Sequence, residues 1–398
     1  MKIVLVNKYW YLKGGTERVV FVTKKLLEET GHQVEIFGMK HEKNIFENEY
    51  FVENVDYQNM TGVQKIKNAR NFIYNADAKA KFKKLLENFQ PDVVHFHNIY
   101  HQLSFSLVEA ARERHIPMVM TLHDYKMLSP NYTLFHHGQI DESSLTGKYY
   151  RCILNNCMEN MGESLLVTLE AYSRKNKKYQ EAIAQYISPS FFLKDLCVRA
   201  GWKEDAVQVI PNPLAVEKNT FVSGEYVAYA GRLSSEKGVS ILLEAAAQTP
   251  DISYKIAGTG PEEASLKARA QKLQLKNVEF VGWLVGDAMT VFLQNARLLV
   301  VPSLWYENYP YSILEAKVLG KIVLGANIGG IPEMIDADCL FDPKDVDSLV
   351  PLIKKWYHTP LAVRQERGEQ LQKEVSEIND RERYLDRVLD VYTKVCSV

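Results

Sequence analysis

Residues 305–320 read WYENYPYSILEAKVLG and place two glutamates, Glu307 and Glu315, on either side of a predicted helix start. Pro310 fits the first helical position and Gly320 the stop. A helix rises about 1.5 Å per residue, so the two carboxylates are expected roughly 10–12 Å apart along its axis. The unpaired N–H groups of the first turn are expected near Glu307.

This layout suits a ligand with phosphate at its centre and hydroxyl groups at both ends. Asn308 or Tyr309 is the expected cap, and the N–H groups that follow it attract an anion. Each carboxylate can accept hydrogen bonds from a sugar ring. A nucleotide-sugar has this distribution of groups and is our first hypothesis for the ligand.

The rest of the chain alternates short apolar runs with longer helical patterns, which indicates parallel sheets flanked by helices. The strands predicted in the first half are Ile3–Val6, Val34–Phe37, Val93–Phe96, Met118–Thr121 and Ile183–Ile187. Those predicted in the second half are Tyr226–Ala230, Ser253–Ala257, Val278–Val281, Leu298–Val301 and Ile322–Leu324. Two sets of strands predict an α/β fold with two doubly wound sheets.

With 398 residues, the chain exceeds what one hydrophobic core usually fills. We predict an N-terminal domain over 1–188 with an insertion at 124–163, a C-terminal domain over 189–375, and a C-terminal helix over 376–398. Proline in Ile210–Pro213 and the polar run Glu217–Gly224 mark the expected hinge. So long an insertion after a strand is typical of a functional loop or lid.

The composition narrows the class of protein. Hydrophobic residues make up 46% and charged residues 24% of the chain, which is globular and not disordered. The formal net charge of −1 gives no reason to expect a nucleic-acid partner. No apolar run approaches the roughly 18 residues that span a bilayer, and Met1 leads directly into KIVLV without a signal-peptide layout. We expect a cytoplasmic protein with five reduced cysteines.

Two cations, Arg232 and Lys237, lie in YAGRLSSEKG after the first predicted strand of the second half. Cations beside glycines at a helix N-terminus are suited to neutralise a diphosphate, and arginine can bind it in a fork. A solvated charged turn explains either residue alone. The two together favour the diphosphate.

Three glycine-containing turns accompany this pair. Gly14–Gly15 follow the first strand, Gly258 and Gly260 lie in KIAGTGPEE, and Gly329–Gly330 begin GGIPE. Each turn alone could be a simple connection. Because ligands of open α/β sheets bind at the carboxyl ends of the strands, several such turns on one edge predict a long binding groove.

Histidines follow two strands of the first half. His123 ends the run MVMTLHD and is either polar filler or a donor to a sugar hydroxyl or phosphate oxygen. His95, His97 and His101 form a second group near Asp92. H-x-H places both rings on one face of a strand, but no carboxylate is spaced to complete a metal site, so we predict none.

Two charged patterns have alternative explanations. The D-x-D triplets at 336–338 and 345–347 lie beside a helix boundary and are interpreted as caps and solvated charge. A basic helical surface in the first half is formed by Lys65, Lys67, Arg70, Lys79, Lys81, Lys83 and Lys84, with a second basic run at Arg174–Lys178. Solvated helix faces explain this surface, and the alternative is docking on an anionic membrane or a lipid-diphosphate acceptor.

The motifs stand in one order over nearly the whole chain: GGTE at 14–17, DVVHFHN, TLHD, GRLSSEKG, IAGTGP, ENYPYSILE and GGIPE. Together they resemble the retaining glycosyltransferases of family 4, whose fold is called GT-B. The resemblance implies two Rossmann-like domains facing across a cleft, with the donor nucleotide held mainly by the second and the acceptor by the first. It also implies a final helix that crosses back to the first domain.

The resemblance further implies roles for individual residues. Glu307 corresponds to the glutamate beside the transferred sugar, and His123 to the active-site histidine. Glu315 matches the carboxylate on the ribose hydroxyls, and Gly15 the glycine under the phosphates. The resemblance also assigns Arg232 and Lys237 to the donor diphosphate, and Trp283 and Leu284 to the base. The glycine turn and the helix start themselves add four donor-binding positions: Gly260, Asn308, Tyr309 and Pro310.

The insertion departs from bacterial enzymes of this kind, many of which carry two cysteine pairs here. DESS at 141–144 stands where the first pair would fall, which leaves Cys152 and Cys157 with His136 and His137 nearby. We therefore do not predict a structural zinc site on these four residues.

The expected activity is metal-independent, retaining transfer of a sugar from a nucleotide-sugar donor to a glycan, lipid-linked or other polysaccharide-precursor acceptor. Arg232, Lys237 and the N–H groups near Asn308–Pro310 would hold the departing diphosphate while the acceptor attacks from the same face. Association with the inner face of the plasma membrane would follow from a lipid-linked acceptor. Two alternatives remain open: a nucleotide-sugar epimerase of the same fold and a non-catalytic nucleotide-sugar sensor.

Overall fold

The structure, a computed structural model, describes residues 1–54, 69–214 and 221–397. Lys65, Lys67 and the hinge residues 217–220 lie outside the described residues. The chain divides into two units. The first comprises Met1–His136, Asp141–Pro213 and Arg381–Val398, and the second His137–Ile140 and Leu214–Asp380.

A parallel sheet of six strands forms the centre of the first unit. The strands of the first half of the chain are β1 (Lys2–Val6), β2 (Gln33–Phe37), β3 (Val93–Phe96), β4 (Met118–Thr121), β5 (Phe135–His136), β6 (Gln139–Ile140), β7 (Gln185–Ser188) and β8 (Val207–Val209). The sheet order is β2-β1-β3-β4-β7-β8. Every residue of β3, β4 and β7 is buried, as expected for strands covered on both faces.

Helices cover this sheet. They are α1 (Gly15–Glu29), α2 (Ala76–Phe89), α3 (Ser106–Arg112), α4 (Tyr150–Leu154), α5 (Met161–Asn176), α6 (Tyr179–Ala182) and α7 (Phe191–Arg199). Side-chain caps fix three of the starts: Asn75 accepts from the Ala78 N–H, Asn160 from Glu163 and Ser190 from Leu193.

The second unit contains another six-stranded parallel sheet. Its strands are β9 (Tyr226–Ala230), β10 (Tyr254–Ala257), β11 (Val278–Gly282), β12 (Ala296–Val301), β13 (Ile322–Ala326) and β14 (Leu340–Phe341). Its helices are α8 (Val239–Ala247), α9 (Glu263–Lys272), α10 (Asp287–Gln294), α11 (Tyr311–Val318), α12 (Val346–His358) and α13 (Leu361–Ile378). The order β11-β10-β9-β12-β13-β14 is that of a Rossmann sheet, so the predicted α/β fold with doubly wound sheets is confirmed.

The last helix, α14 (Arg381–Cys396), belongs to the first unit. The Tyr384 hydroxyl lies 2.7 Å from Thr23 Oγ1 on α1, and the Tyr392 hydroxyl lies 2.7 Å from His95 Nδ1 on β3. All four side chains are buried, so α14 is held by polar contacts within an apolar interface.

The unit boundary lies after Pro213 and not after residue 188, where the sequence analysis placed it. Residues 189–213 stay with the first unit because β8 pairs in parallel with β7. Strand β8 is only three residues long, too short to show a pattern. The C-terminal segment likewise begins at Arg381 rather than at residue 376, because α13 continues to Ile378.

The prediction that all five cysteines are reduced is wrong. Cys152 and Cys157 form a disulfide, so they are not the reduced thiols that we expected. Helix α4 ends at Leu154 and the chain turns back, which brings the two Cα atoms to 4.8 Å and lets the Cys157 N–H donate to the Cys152 carbonyl. Cys197, Cys339 and Cys396 are free thiols.

Metal ligands are not assembled anywhere in the described part of the chain, which holds no group of three or more His, Cys, Asp or Glu side chains able to bind an ion. His136 Nε2 lies 2.8 Å from Asp141 Oδ2 instead. The second D-x-D triplet caps a helix, as predicted, since Asp345 accepts from the Asp347 N–H at the start of α12.

The basic surface on α2 is largely neutralised within the protein. Lys79 Nζ lies 2.6 Å from Glu109 Oε1 and 2.7 Å from Glu113 Oε1, and Lys83 also pairs with Glu113. Lys81 Nζ lies 3.7 Å from Asp77 Oδ2. Among the described helices, none is long and apolar enough to cross a membrane.

Candidate active site

The strand order of the second sheet reverses between β9 and β12. These strands are neighbours although β10 and β11 come between them in sequence. The loops that leave such neighbouring strands part to opposite sides and leave a crevice at the carboxyl edge. Arg232 and Lys237 follow β9, and Glu307 follows β12. The topology therefore brings the two most informative motifs of the sequence to one crevice.

Lys237 and Glu307 form an ion pair in this crevice. Lys237 ends a single 3₁₀ turn, and its Nζ lies 2.7 Å from Glu307 Oε1 and 4.8 Å from the centre of the Trp305 ring. Ser303 Oγ donates to the same oxygen at 2.7 Å. Burial acts to raise the pKa of Glu307, but the Lys237 charge and the two hydrogen bonds outweigh it, so the pKa is lowered. Glu307 is therefore a buried, ionised carboxylate.

Glycines let the surrounding turns approach closely. A Cβ added to Gly258, where φ is +143°, would lie 1.8 Å from the Gly231 carbonyl oxygen. One added to Gly260 would lie 2.2 Å from the Leu233 carbonyl oxygen, and the Leu233 N–H donates to Thr259 O at 3.0 Å. The turn after β10 thus packs directly against the turn that carries Arg232.

The GGIPE turn packs against the loop that carries Glu307. The Gly330 N–H donates to the Glu307 carbonyl at 2.7 Å, and a Cβ on Gly330 would lie 2.1 Å from the Asn308 carbonyl oxygen. Only one 3₁₀ turn, Ile331–Glu333, follows these glycines, not a full helix. Their role is to hold the loop that carries Glu307.

Helix α11 begins one residue later than predicted. Pro310 is its N-cap, with extended backbone angles of −68° and 123°. Asn308 and Tyr309 precede the cap, and the Tyr309 hydroxyl accepts from Asn379 Nδ2 at 3.0 Å. Glu315 lies half-buried one turn along the helix.

The remaining donor-site candidates of the second unit lie on the same sheet edge at different distances from the crevice. The Arg232 side chain is exposed, and no acidic partner for it occurs in the described parts of the chain. Trp283, 60% exposed, and the half-buried Leu284 follow the edge strand β11, two strands away from β9.

In the first unit the corresponding reversal lies between β1 and β3. Gly14 is the N-cap of α1, which begins at Gly15. Glu17 in its first turn is buried, and Asn7 Nδ2 donates to its Oε1 at 3.4 Å. Burial raises the pKa of this carboxyl group.

His123 follows β4 and contacts His97, which follows β3. His97 Nδ1 lies 2.9 Å from His123 Nε2, and the two rings are stacked with centroids 5.2 Å apart. Burial lowers the pKa of His123 to about 3 and that of His97 well below its usual range, so both rings are neutral. His97 has no role predicted from the sequence; its position directly after β3 is the signal that points to this contact.

The family described as "Glycosyltransferase Family 4" matches residues 13–218, over half of the chain, and the family described as "Glycosyl transferases group 1" matches residues 215–374. The chain belongs to glycosyltransferase family 4. It is therefore a glycosyltransferase.

Relatives of this family 4 glycosyltransferase extend over its whole length. It is 26% identical to an uncharacterized 42.6 kDa protein in the cps region of Klebsiella pneumoniae, with 88% of this chain and 92% of the relative covered. It is 22% identical to the O-antigen chain mannosyltransferase C of Escherichia coli, with 99% and 98% covered.

Solved structures identify the fold of this family 4 glycosyltransferase as GT-B. Sucrose-phosphate synthase from Thermosynechococcus elongatus matches with a TM-score of 0.74 at 18% identity, covering 100% of this chain and 99% of its own. Anabaena Alr3699/HepE, solved with UDP and glucose, matches with a TM-score of 0.68 at 18% identity, covering 99% of both chains.

One polar group of this family 4 glycosyltransferase escaped the sequence analysis. Asp124, next to His123, accepts hydrogen bonds from the Tyr100 hydroxyl and the Lys126 N–H, and burial raises its pKa to about 6. Lys8 Nζ lies 4.0 Å above the Tyr100 ring, and burial lowers its pKa to about 8. A single Asp after the histidine gave no signal without the strand order that brings Tyr100 and Lys8 beside it.

Proposed function

We propose that this glycosyltransferase transfers a sugar, with retention of configuration and without a metal ion, from a nucleotide-sugar to a lipid-linked or other polysaccharide-precursor acceptor in the cytoplasm. The carrying observation is the Lys237–Glu307 pair at the β9/β12 crevice, with the exposed Arg232 on the same turn as Lys237. The UDP and glucose in the Anabaena structure support a nucleotide-sugar donor. The Escherichia coli relative supports a polysaccharide-precursor acceptor.

In this mechanism the bond between sugar C1 and the donor phosphate oxygen breaks as the acceptor hydroxyl attacks from the face that the diphosphate leaves. Its proton passes to a donor phosphate oxygen. Arg232, Lys237 and the first-turn N–H groups of α11 stabilise the diphosphate, which is the role a divalent cation would otherwise have. Glu307 stabilises positive charge at the sugar, and Glu315 binds the ribose.

His123 is the residue of the first unit to which we assign a contact with the substrate. Because its Nε2 faces His97 Nδ1, its Nδ1 is the ring atom that would meet the substrate. Both rings stay neutral near pH 7, so His123 acts as a hydrogen-bonding group and not as a cation.

The test is a thermal-shift panel of nucleoside diphosphates, followed by turnover with the sugar nucleotide of the base that binds. A ligand at a hundred times its dissociation constant adds about 2.7 kcal/mol of stability. We expect one base to shift the melting temperature, unchanged turnover in EDTA, and a product with the anomeric configuration of the donor. No shift with any nucleoside diphosphate would contradict the donor site, and EDTA-sensitive turnover would contradict metal independence.

A further inference from the structure

The insertion at 124–163 and the helix at its end expose large apolar side chains on α4 and α5, which we call the apolar stripe. On α4 they lie four residues apart and on α5 at three successive positions four residues apart. The exposed fractions are Tyr150 47%, Leu154 74%, Met161 56%, Leu165 47% and Leu169 50%. Residues spaced by four lie on one face of a helix, so each helix presents one apolar face to solvent.

The opposite face of α5 fills the interior, because Ser164, Val167, Thr168 and Ala171 are buried. The exposed apolar residues of α5 therefore form a second apolar face, separate from the face that packs in the core.

The two helices are held as one rigid hairpin. Cys152 on α4 and Cys157 after it form a disulfide and pack in one cluster with Val167 on α5. At the other end, the Tyr150 N–H donates to the Tyr172 hydroxyl at 3.3 Å. The stripe thus does not depend on a loop conformation. An exposed apolar helix face of this kind marks an interaction site.

Charge indicates which partner fits. The hairpin and its flanks carry Lys148, Arg151, Lys175 and Lys178 against the exposed acids Glu159 and Glu163, whereas Lys177 pairs with Glu109. The cations gather where α4 begins and α5 ends, with Lys175 Nζ 6.0 Å from the Tyr149 ring. An apolar face bordered by lysines matches the headgroup region of an anionic bilayer, where leucines enter the acyl boundary and lysines reach lipid phosphates.

We propose that the apolar stripe and its bordering lysines dock this enzyme on anionic membranes. The lysines of α2, the surface suggested by sequence, are paired with Glu109, Glu113 and Asp77 and are less suited to this role. The inference rests on the proposed function only in its purpose, since docking would bring the enzyme to a lipid-linked acceptor.

Flotation of the full chain with vesicles tests the proposal. We expect the protein to float with vesicles of 30% phosphatidylglycerol in phosphatidylcholine, to float less in high salt, and not to float with pure phosphatidylcholine. The double variant L165S/L169S should lower the bound fraction about tenfold or more, and K175Q/K178Q should remove most of the salt dependence.

The matched control is L361S/V363S on α13, which replaces two residues that are 50% and 48% exposed in the second unit. It should float like the unmodified protein. The nucleoside diphosphate thermal shift of all variants should be unchanged, which separates loss of docking from loss of folding or of the donor site. Absence of flotation with anionic vesicles, or flotation that survives L165S/L169S, would overturn the proposal. So would concentration-dependent self-association that the same variant abolishes, since a second copy would then occupy the stripe.

Discussion

Lys237 Nζ lies 2.7 Å from Glu307 Oε1, and Ser303 Oγ donates to the same carboxylate oxygen. The cation that we assign to the donor diphosphate is thus already neutralised by the carboxylate that we assign to the sugar. A diphosphate must compete with Glu307 for Lys237, and the competition leaves Glu307 with less compensation for its charge. We therefore expect binding of the leaving group and preparation of the carboxylate for a developing cation to be coupled.

Replacing Glu307 with Gln tests this coupling. The amide keeps the size of the side chain and can still accept from Ser303, but it no longer neutralises Lys237. We expect nucleoside diphosphate affinity, measured by calorimetry, to stay equal or become up to about tenfold tighter, while turnover falls about 100-fold or more. A loss of diphosphate affinity in E307Q would show that Glu307 positions Lys237 rather than competing for it.

Arg232→Met should weaken donor binding without affecting the fold. The side chain is exposed and lacks an acidic partner in the described residues, so the melting temperature should not change. Hydrogen bonds to charged groups contribute about 1.5–3 kcal/mol, which corresponds to about a 10- to 100-fold rise in the dissociation constant of the nucleoside diphosphate.

Arg269→Met is the matched control for Arg232. Arg269 is an exposed arginine of the same unit, on α9, paired with Glu244. An exposed pair contributes little to stability, so this variant should keep both the melting temperature and the diphosphate affinity. Equal losses in the two variants would point to a general effect of surface charge.

Part of this site can be predicted from the sequence because its motifs directly follow predicted strands. All ten predicted strands occur, and Arg232, Lys237 and Glu307 follow the neighbouring strands β9 and β12. The contact between Lys237 and Glu307 could not be predicted from the residues alone. It depends on β9 lying next to β12, and strand order follows from packing of whole helices and not from local periodicity.

Several predictions of local structure are wrong or missing where the structure depends on short segments. Strands β8 and β14, with three and two residues, are too short to show alternation. Pro310 was predicted as the first helical residue but is the N-cap. Its ψ of 123° is extended, so the helix begins one residue later, at Tyr311. The Cys152–Cys157 disulfide depends on the end of α4 at Leu154, and the pair Asn155–Asn156, in which Asn156 has a φ of 45°, is the turn signal that marks this end in the sequence.

Gly260→Ala and Gly162→Ala should have opposite effects. At Gly260 the added Cβ would lie 2.2 Å from the Leu233 carbonyl oxygen, so the turn beside Arg232 must shift. We expect a loss of about 1–3 kcal/mol of stability together with weaker diphosphate binding. At Gly162, exposed in the first turn of α5, the Cβ meets Asn160 Oδ1 at an ordinary 3.4 Å. There alanine should stabilise by about 0.4–1 kcal/mol.

Thermal unfolding and calorimetry of both glycine variants supply the measurement. The close approach between the two turns is contradicted if G260A binds the nucleoside diphosphate with unchanged affinity and unfolds at the same temperature as the unmodified protein.

Buried neutral histidine should make the first unit sensitive to acid. His95 Nδ1 lies 2.7 Å from the Tyr392 hydroxyl and its Nε2 2.8 Å from Thr121 Oγ1, and burial lowers its pKa to about 3. An unfolded histidine binds a proton below a pKa of about 6.5, whereas the folded one does not until about pH 3. The unfolded state therefore binds more protons in this window, and stability falls as pH falls, by about 1.4 kcal/mol per pH unit for this one group.

His95→Gln removes the titrating ring but keeps a side chain that can hydrogen-bond to Tyr392. The variant should be less stable than the unmodified protein at pH 7, because the polar contacts of a buried group are imperfectly replaced. The difference should shrink as the pH is lowered from 6.5 towards 3.5, since only the unmodified protein loses the contribution of His95. His358→Gln, at a side chain that is 60% exposed, should leave the pH dependence unchanged. Melting temperatures of the three proteins between pH 7 and pH 3.5 measure this directly, and parallel curves for H95Q and the unmodified protein would show that His95 is protonated in the folded state.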